Sequence, residues 1–146
     1  MTTILGNNDR IGARTSSEGT EFMKLFIIIG AVLAFLSVAF GAFGAHVLKT
    51  RLGDQDLAVF QTGVHYQMVH ALGLIIIGIL ALTVFSGQGT LLAWSGWLMA
   101  VGVLLFSGSL YALTLSGVRV LGVITPIGGV AFLVSWVLVV IAALRT

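Results

Sequence analysis

The chain has 146 residues, 58% of them hydrophobic and 8% charged, with a formal net charge of +2 and a mean hydropathy of +1.13. Charged residues make up about a quarter of an ordinary soluble domain, whereas here none occurs over 25–48, 57–118 or 120–144. Lipid is therefore the solvent for most of the surface, and the few scattered basic residues exclude a nucleic-acid interface.

The first segment, 1–22, differs from the rest. Asn7-Asn8-Asp9-Arg10 and Arg14-Thr15-Ser16-Ser17-Glu18-Gly19 show no apolar periodicity, which predicts a disordered tail. It is either natural or upstream or vector-derived sequence ahead of a start at Met23. If the chain starts at Met23-Lys24, the first span could also pass for a signal peptide, although its apolar run exceeds the 7–15 residues of a usual h-region.

A helix crosses a hydrocarbon core of ~30 Å with about 20 residues, which turns the charge-free runs into spans. The first covers 24–47. The 62-residue run from Leu57 to Val118 breaks at Ser86-Gly87-Gln88-Gly89-Thr90, a cluster of turn formers, and so holds two spans, 57–85 and 91–115. The fourth covers 123–145. Asp54 is placed to cap the second helix, with Asp56 in its first turn. A helix from Gln55 to Phe85 would be ~46 Å long and would reach into the headgroup layer or tilt. At the fourth span, Thr125-Pro126 fits an N-cap followed by the first helical residue; a helix starting near Leu121 and kinked at Pro126 fits equally well. A transmembrane β-barrel is set aside because Ile27-Ile28-Ile29 and Leu74-Ile75-Ile76-Ile77 do not alternate. The fold class is thus all-α, an integral membrane four-helix bundle with short connections.

Small residues at helical spacing mark the seams between lipid-embedded helices. Gly30, Ala34, Ser37, Gly41 and Ala45 form such a face on the first span. Gly96, Ala100, Val103, Ser107, Tyr111 and Thr114 form one on the third, and Gly128, Ser135 and Ala142 one on the fourth. Both termini and the Gly87 hairpin share one side of the membrane. The positive-inside count is four to three in favour of that side with the tail and three to two against it without; the reading adopted places the Lys49 and Arg119 loops in the cytoplasm.

Polar side chains gather towards those two loops. His46 ends the first span; His65, Tyr66, Gln67 and His70 open the second; Ser107 and Tyr111 lie towards the end of the third; Thr125 opens the fourth. These eight residues are the candidate polar pocket. The opposite end carries Trp94 and Trp97, placed as an aromatic belt. His70 lies ~6 Å inside the core or near its middle, depending on where the second span begins. An intramembrane ionisable group is a functional candidate by default, and the competing reading is a neutral imidazole bonded within the bundle. His65 lies about 140° round the helix from His70, so one metal ion is poorly held by both. Cysteine, a CxxCH run, HExxH and an intramembrane carboxylate are all absent from the sequence; no cofactor, metal or catalytic residue is assigned, and haem between His46 and His70 is the residual alternative. Gly41-Ala42-Phe43-Gly44 and Gly128-Gly129 lack the strand and lysine of a phosphate loop.

Five motifs in order carry a family resemblance: Met23-Lys24-Leu25-Phe26-Ile27-Ile28-Ile29-Gly30-Ala31; Gly41-Ala42-Phe43-Gly44-Ala45-His46; Tyr66-Gln67-Met68 with His70-Ala71-Leu72; Phe106-Ser107-Gly108-Ser109-Leu110-Tyr111; and Leu121-Gly122-Val123-Ile124-Thr125-Pro126-Ile127-Gly128-Gly129. From Met23 onward the chain resembles the small bacterial inner-membrane family called domain of unknown function 423, whose eukaryotic relatives are similar to transmembrane protein 256. The resemblance implies a four-helix multi-pass protein of the bacterial cytoplasmic membrane, favours Met23 as the start, and brings no catalytic residue with it. Two functions remain open. The first is a non-catalytic partner, assembly or structural protein, with lipid and a second copy or another membrane protein as partners. The second is a small permease or a lipid or small-solute binder using the pocket around His70.

Overall fold

The computed structural model describes residues 5–145. Four α-helices follow one another: α1 Leu5–His46, α2 Asp54–Leu82, α3 Gly89–Ser116 and α4 Thr125–Leu144. Short 3₁₀ turns at Leu48–Thr50, Ser86–Gln88 and Arg119–Val123 connect them. All four helices are long and apolar enough to cross a membrane, so the four-helix membrane bundle stands. Their surfaces are inverted relative to a soluble bundle: Phe35 and Val38 on α1, Leu104 on α3 and Leu133 on α4 are all exposed, as a hydrocarbon solvent permits.

Helix ends refine three expectations. Residues 1–4 of the segment read as a disordered tail lie outside the described residues, as does Thr146. From Leu5 that segment is drawn as the start of α1, and a helix already nucleated by a span extends without a further nucleation cost. Asp54 is the first residue of α2 and does not cap it; Gly53, in extended backbone, takes that place without a side-chain bond. Of the two readings of Pro126, the start at Thr125-Pro126 stands, moved by one residue, and the helix kinked at the proline does not. Arg119–Val123 is a 3₁₀ turn, α4 begins at Thr125, and the proline sits in its first turn, where its missing N–H is not needed. The α3 helix ends on Gly117, whose φ of 74° is the left-handed C-terminal stop that glycine adopts without strain.

The helices do not form a square. The central pair is α2 and α3, α1 packs mainly on α2, and α4 packs mainly on α3. Phe26 of α1 also lies against Gly96 of α3, and Trp136 of α4 against Gly73 of α2. Each outer helix therefore sits over the α2–α3 junction, one on either side. Close backbone approach makes these seams. A Cβ on Gly30 would lie 2.7 Å from the Ala71 carbonyl oxygen, and one on Gly102 would lie 2.6 Å from the Phe132 ring. Gly128 similarly abuts the Phe106 backbone nitrogen. The predicted small-residue faces are thus seams at Gly30, Ser37, Gly96, Ala100, Ser107, Gly128, Ser135 and Ala142, all buried, whereas Ala45 is exposed. Between the seams, Phe26, Leu74, Ile77, Leu92, Met99 and Phe132 form one continuous apolar core.

A polar clamp also holds α3 to α4. Ser95 Oγ donates to the Ser135 carbonyl at 2.9 Å and Ser135 Oγ to the Ser95 carbonyl at 2.8 Å, with both serines fully buried. Two buried hydroxyls are tolerated there because each reaches a carbonyl of the neighbouring helix.

Candidate functional site

The eight candidate residues divide into separate groups. The first is a closed chain of hydrogen bonds across three helices. Tyr111 Oη on α3 donates to Gln67 Oε1 at 2.9 Å, and Gln67 Nε2 on α2 donates to the Leu33 carbonyl of α1 at 2.8 Å. One turn away, Ser37 Oγ donates to the Val64 carbonyl at 2.8 Å. Phe40 and Phe60 pack around the Tyr111 ring, with centroids 5.1 and 4.9 Å away. Gly63 lets that ring reach the α2 backbone, since a Cβ there would meet it at 2.8 Å. Gln67 is buried, and both ends of its amide are paired. In hydrocarbon such a chain joins helices.

The second group faces the other way. His70 lies 16 residues beyond Asp54 and 12 before Leu82, near the middle of α2. Its Nδ1 lies 2.8 Å from the Tyr66 carbonyl oxygen. A carbonyl can only accept, so Nδ1 carries the proton and an uncharged ring leaves Nε2 as an acceptor. The imidazole stacks on Phe132 of α4, centroids 3.5 Å apart and planes 12° apart, and lies nearly parallel to Tyr66 at 5.8 Å. Tyr66 in turn stacks on Phe106 of α3 at 4.4 Å. Neighbouring Tyr66 and Gln67 thus serve different seams: Tyr66 turns to the α4 side and Gln67 to the α1 side.

A groove of about 370 Å³ runs along this aromatic stack, lined by His65, Tyr66, Val69, His70 and Trp136. His65, Tyr66 and Val69 are exposed along it, while His70 is only 6% exposed. Since these residues sit on a membrane span, the groove opens sideways to lipid.

The remaining candidates join neither group. His46 is exposed at the end of α1. Thr125 Oγ1 lies 2.7 Å from Ser109 Oγ, which itself donates to the Phe106 carbonyl. Ser107 Oγ is buried and has no partner among the described residues. Among the described residues no three His, Asp or Glu side chains converge as a metal site requires.

Two participants escaped the sequence reading. Phe132 and Trp136 are aromatic residues in a charge-free span, and their places against His70 follow from the α2–α4 juxtaposition. Outside the membrane, Arg119 grips Asp56 with both guanidinium nitrogens, at 2.6 and 3.1 Å. This bidentate pair ties the third connection to the start of α2.

Comparison with known proteins adds the family. The family model described as "Protein of unknown function (DUF423)" matches residues 40–129. UPF0382 membrane protein YwdK of Bacillus subtilis is 51% identical over 123 residues, covering 84% of this chain and 98% of the relative. UPF0382 membrane proteins of Staphylococcus haemolyticus and Staphylococcus epidermidis are 48% and 47% identical over the same shares. No solved structure matches the chain.

Proposed function

The chain belongs to the DUF423 family of multi-pass membrane proteins, and from that premise we propose that it is a non-catalytic component of the membrane, acting as a structural or assembly partner and not as an enzyme or permease. One observation carries this reading. Three polar side chains between α1, α2 and α3 are spent within the bundle, Tyr111 on Gln67, Gln67 on the Leu33 carbonyl and Ser37 on the Val64 carbonyl. A permease keeps an ionisable or paired polar group at a midplane site open to solute. Here the histidine in the middle of α2 is held by its own helix and by Phe132. Enzymatic chemistry finds equally little support: the hydroxyls of Ser95, Ser109 and Ser135 donate to backbone carbonyls and are not paired with a base. On this reading the folded unit is 23–146.

Proteoliposomes test the proposal. Vesicles carrying the wild-type chain should show no pH-driven solute flux above that of empty vesicles, and His70→Ala should lower thermal stability alone. Flux that His70→Ala abolishes while the fold persists would overturn it.

A second reading, a non-catalytic binder of a lipid or small solute, is favoured by one feature. The groove at His70 has aromatic walls and a polar atom, His70 Nε2, without a hydrogen-bond partner among the described residues, and it lies on a helix long and apolar enough to cross the membrane.

A further inference from the structure

The α2–α4 groove combines a shape, a hydrogen-bonding requirement and a route of entry. Its walls are flat rings: Tyr66 and His70 lie within 15° of parallel, and Trp136 closes the groove at 55° to the imidazole with its centroid 6.2 Å away. With the His70 proton on Nδ1 and bonded to Tyr66, Nε2 has no hydrogen-bond partner among the described residues. No water is at hand in hydrocarbon to supply the missing donor. The complement must therefore come from the lipid phase, carry an O–H or N–H donor, and be flat where it meets the rings.

Two common occupants of membrane grooves fit less well. An acyl chain has no donor, and a phosphate is itself an acceptor facing an acceptor. A volume of about 370 Å³ is at the small end of ligand sites, enough for one substituted ring with its tail left in the bilayer.

We propose that this groove binds the hydroxyaromatic headgroup of a lipid-soluble molecule, a phenol or quinol ring, whose hydroxyl donates to His70 Nε2 while the ring packs between Tyr66 and Trp136. The proposal rests on the binder reading and names the ligand class. It involves binding alone, with no electron or group transfer.

The test uses the full chain in phosphatidylcholine nanodiscs. The chain has three tryptophans, and replacing Trp94 and Trp97 by Phe leaves Trp136 as the sole reporter. The probes are 3-bromo-5-hexylphenol and its methyl ether, which share ring, bromine and tail and differ only in the O–H donor. Both should quench Trp136 saturably, the phenol about five- to tenfold more tightly, the worth of one hydrogen bond. The ¹⁵N resonance of His70 Nε2 should move with the phenol and not with the ether. His70→Phe keeps a ring against Phe132 and removes the acceptor, so the phenol should fall to the affinity of the ether, which should itself be unchanged. If His70→Phe does not fold, Val69→Phe, which fills the groove without touching the His70 bond and adds no second reporter, should abolish saturable quenching by both probes. Equal affinities in the wild type, or a preference that survives His70→Phe, overturns the proposal. If neither probe saturates while phosphatidylcholine brominated on its chains quenches Trp136, the groove is a lipid-chain site: the ring proposal falls and the binder reading stands. If none of the three quenches Trp136, both fall.

Discussion

A hydroxyl in hydrocarbon stabilises or costs according to whether its proton is spent, and Tyr111 and Ser107 show the two cases on one face of α3. Tyr111 donates to Gln67 Oε1, whereas Ser107 Oγ is buried with no partner among the described residues. Tyr111→Phe keeps the ring packed between Phe40 and Phe60 but strips Gln67 Oε1 of its donor. We expect a loss of about 1–2 kcal/mol. Ser107→Ala removes a group whose desolvation nothing offsets, and stability should hold or rise by up to ~1 kcal/mol. Equilibrium unfolding of the two variants in mixed micelles measures both. A Ser107→Ala loss as large as that of Tyr111→Phe would show that the serine is bonded after all. Gln67, Tyr111 and His70 were all legible as polar residues at membrane depth. Their division into two sites was not, because depth follows from counting along the chain while direction depends on which helix lies alongside. Tyr66 and Gln67 are adjacent in sequence and face α4 and α1, a split that no single-helix wheel contains.

Among the helices, the seams were the more readable feature, since lipid-embedded packing demands small residues and small residues stand out in an apolar run. Gly30, Gly96 and Gly128 were recovered on this ground. Gly73 and Gly78 on α2 were not, although a Cβ on Gly73 would lie 2.8 Å from Met99 Sδ and one on Gly78 2.8 Å from the Met23 carbonyl oxygen. A central helix has seams on several faces, so its glycines fall into no single stripe. The glycines of a helix are therefore not equivalent. Gly30→Ala puts a methyl group against the Ala71 backbone, which cannot rotate away, and should destabilise by about 1–3 kcal/mol as α1 and α2 are forced apart. Gly108→Ala, inside α3 with open space where the methyl group would go, should be neutral or stabilise by about 0.5–1 kcal/mol through helix propensity alone. Thermal unfolding of the pair checks the sign of each. If Gly30→Ala is tolerated as well as Gly108→Ala, the α1–α2 contact is looser than the seam implies.

On the scale of the whole molecule, two outer helices clasp a central pair, and this arrangement states what each outer helix must contribute. The α4 helix supplies Gly128, Phe132 and Ser135, with Trp136 at the groove. The α1 helix supplies Phe26, Gly30, Leu33 and Ser37, and its first buried side chain among those described is Met23. The three residues described just before it, Thr20, Glu21 and Phe22, are exposed. The ion pair from Glu21 to Lys24, at 2.8 Å, is exposed at both ends and of a kind worth little. A groove of about 620 Å³ lies at the end of the segment before Met23, where Thr20 and Phe22, both exposed, approach Trp94 and Trp97. The relatives align over 123 residues, close to the length that remains from Met23 onward. Deleting residues 2–22 should therefore leave helicity from Met23 onward and the unfolding temperature within about 2 °C of the full chain, a shift below that of a 1 kcal/mol change in a domain of this size. It should also leave the quenching of Trp136 by the phenol untouched, because the α2–α4 groove lies on the far side of the central pair from α1. A fall of 5 °C or more on deletion would show that the segment before Met23 packs on the bundle, and the folded unit would then have to include it.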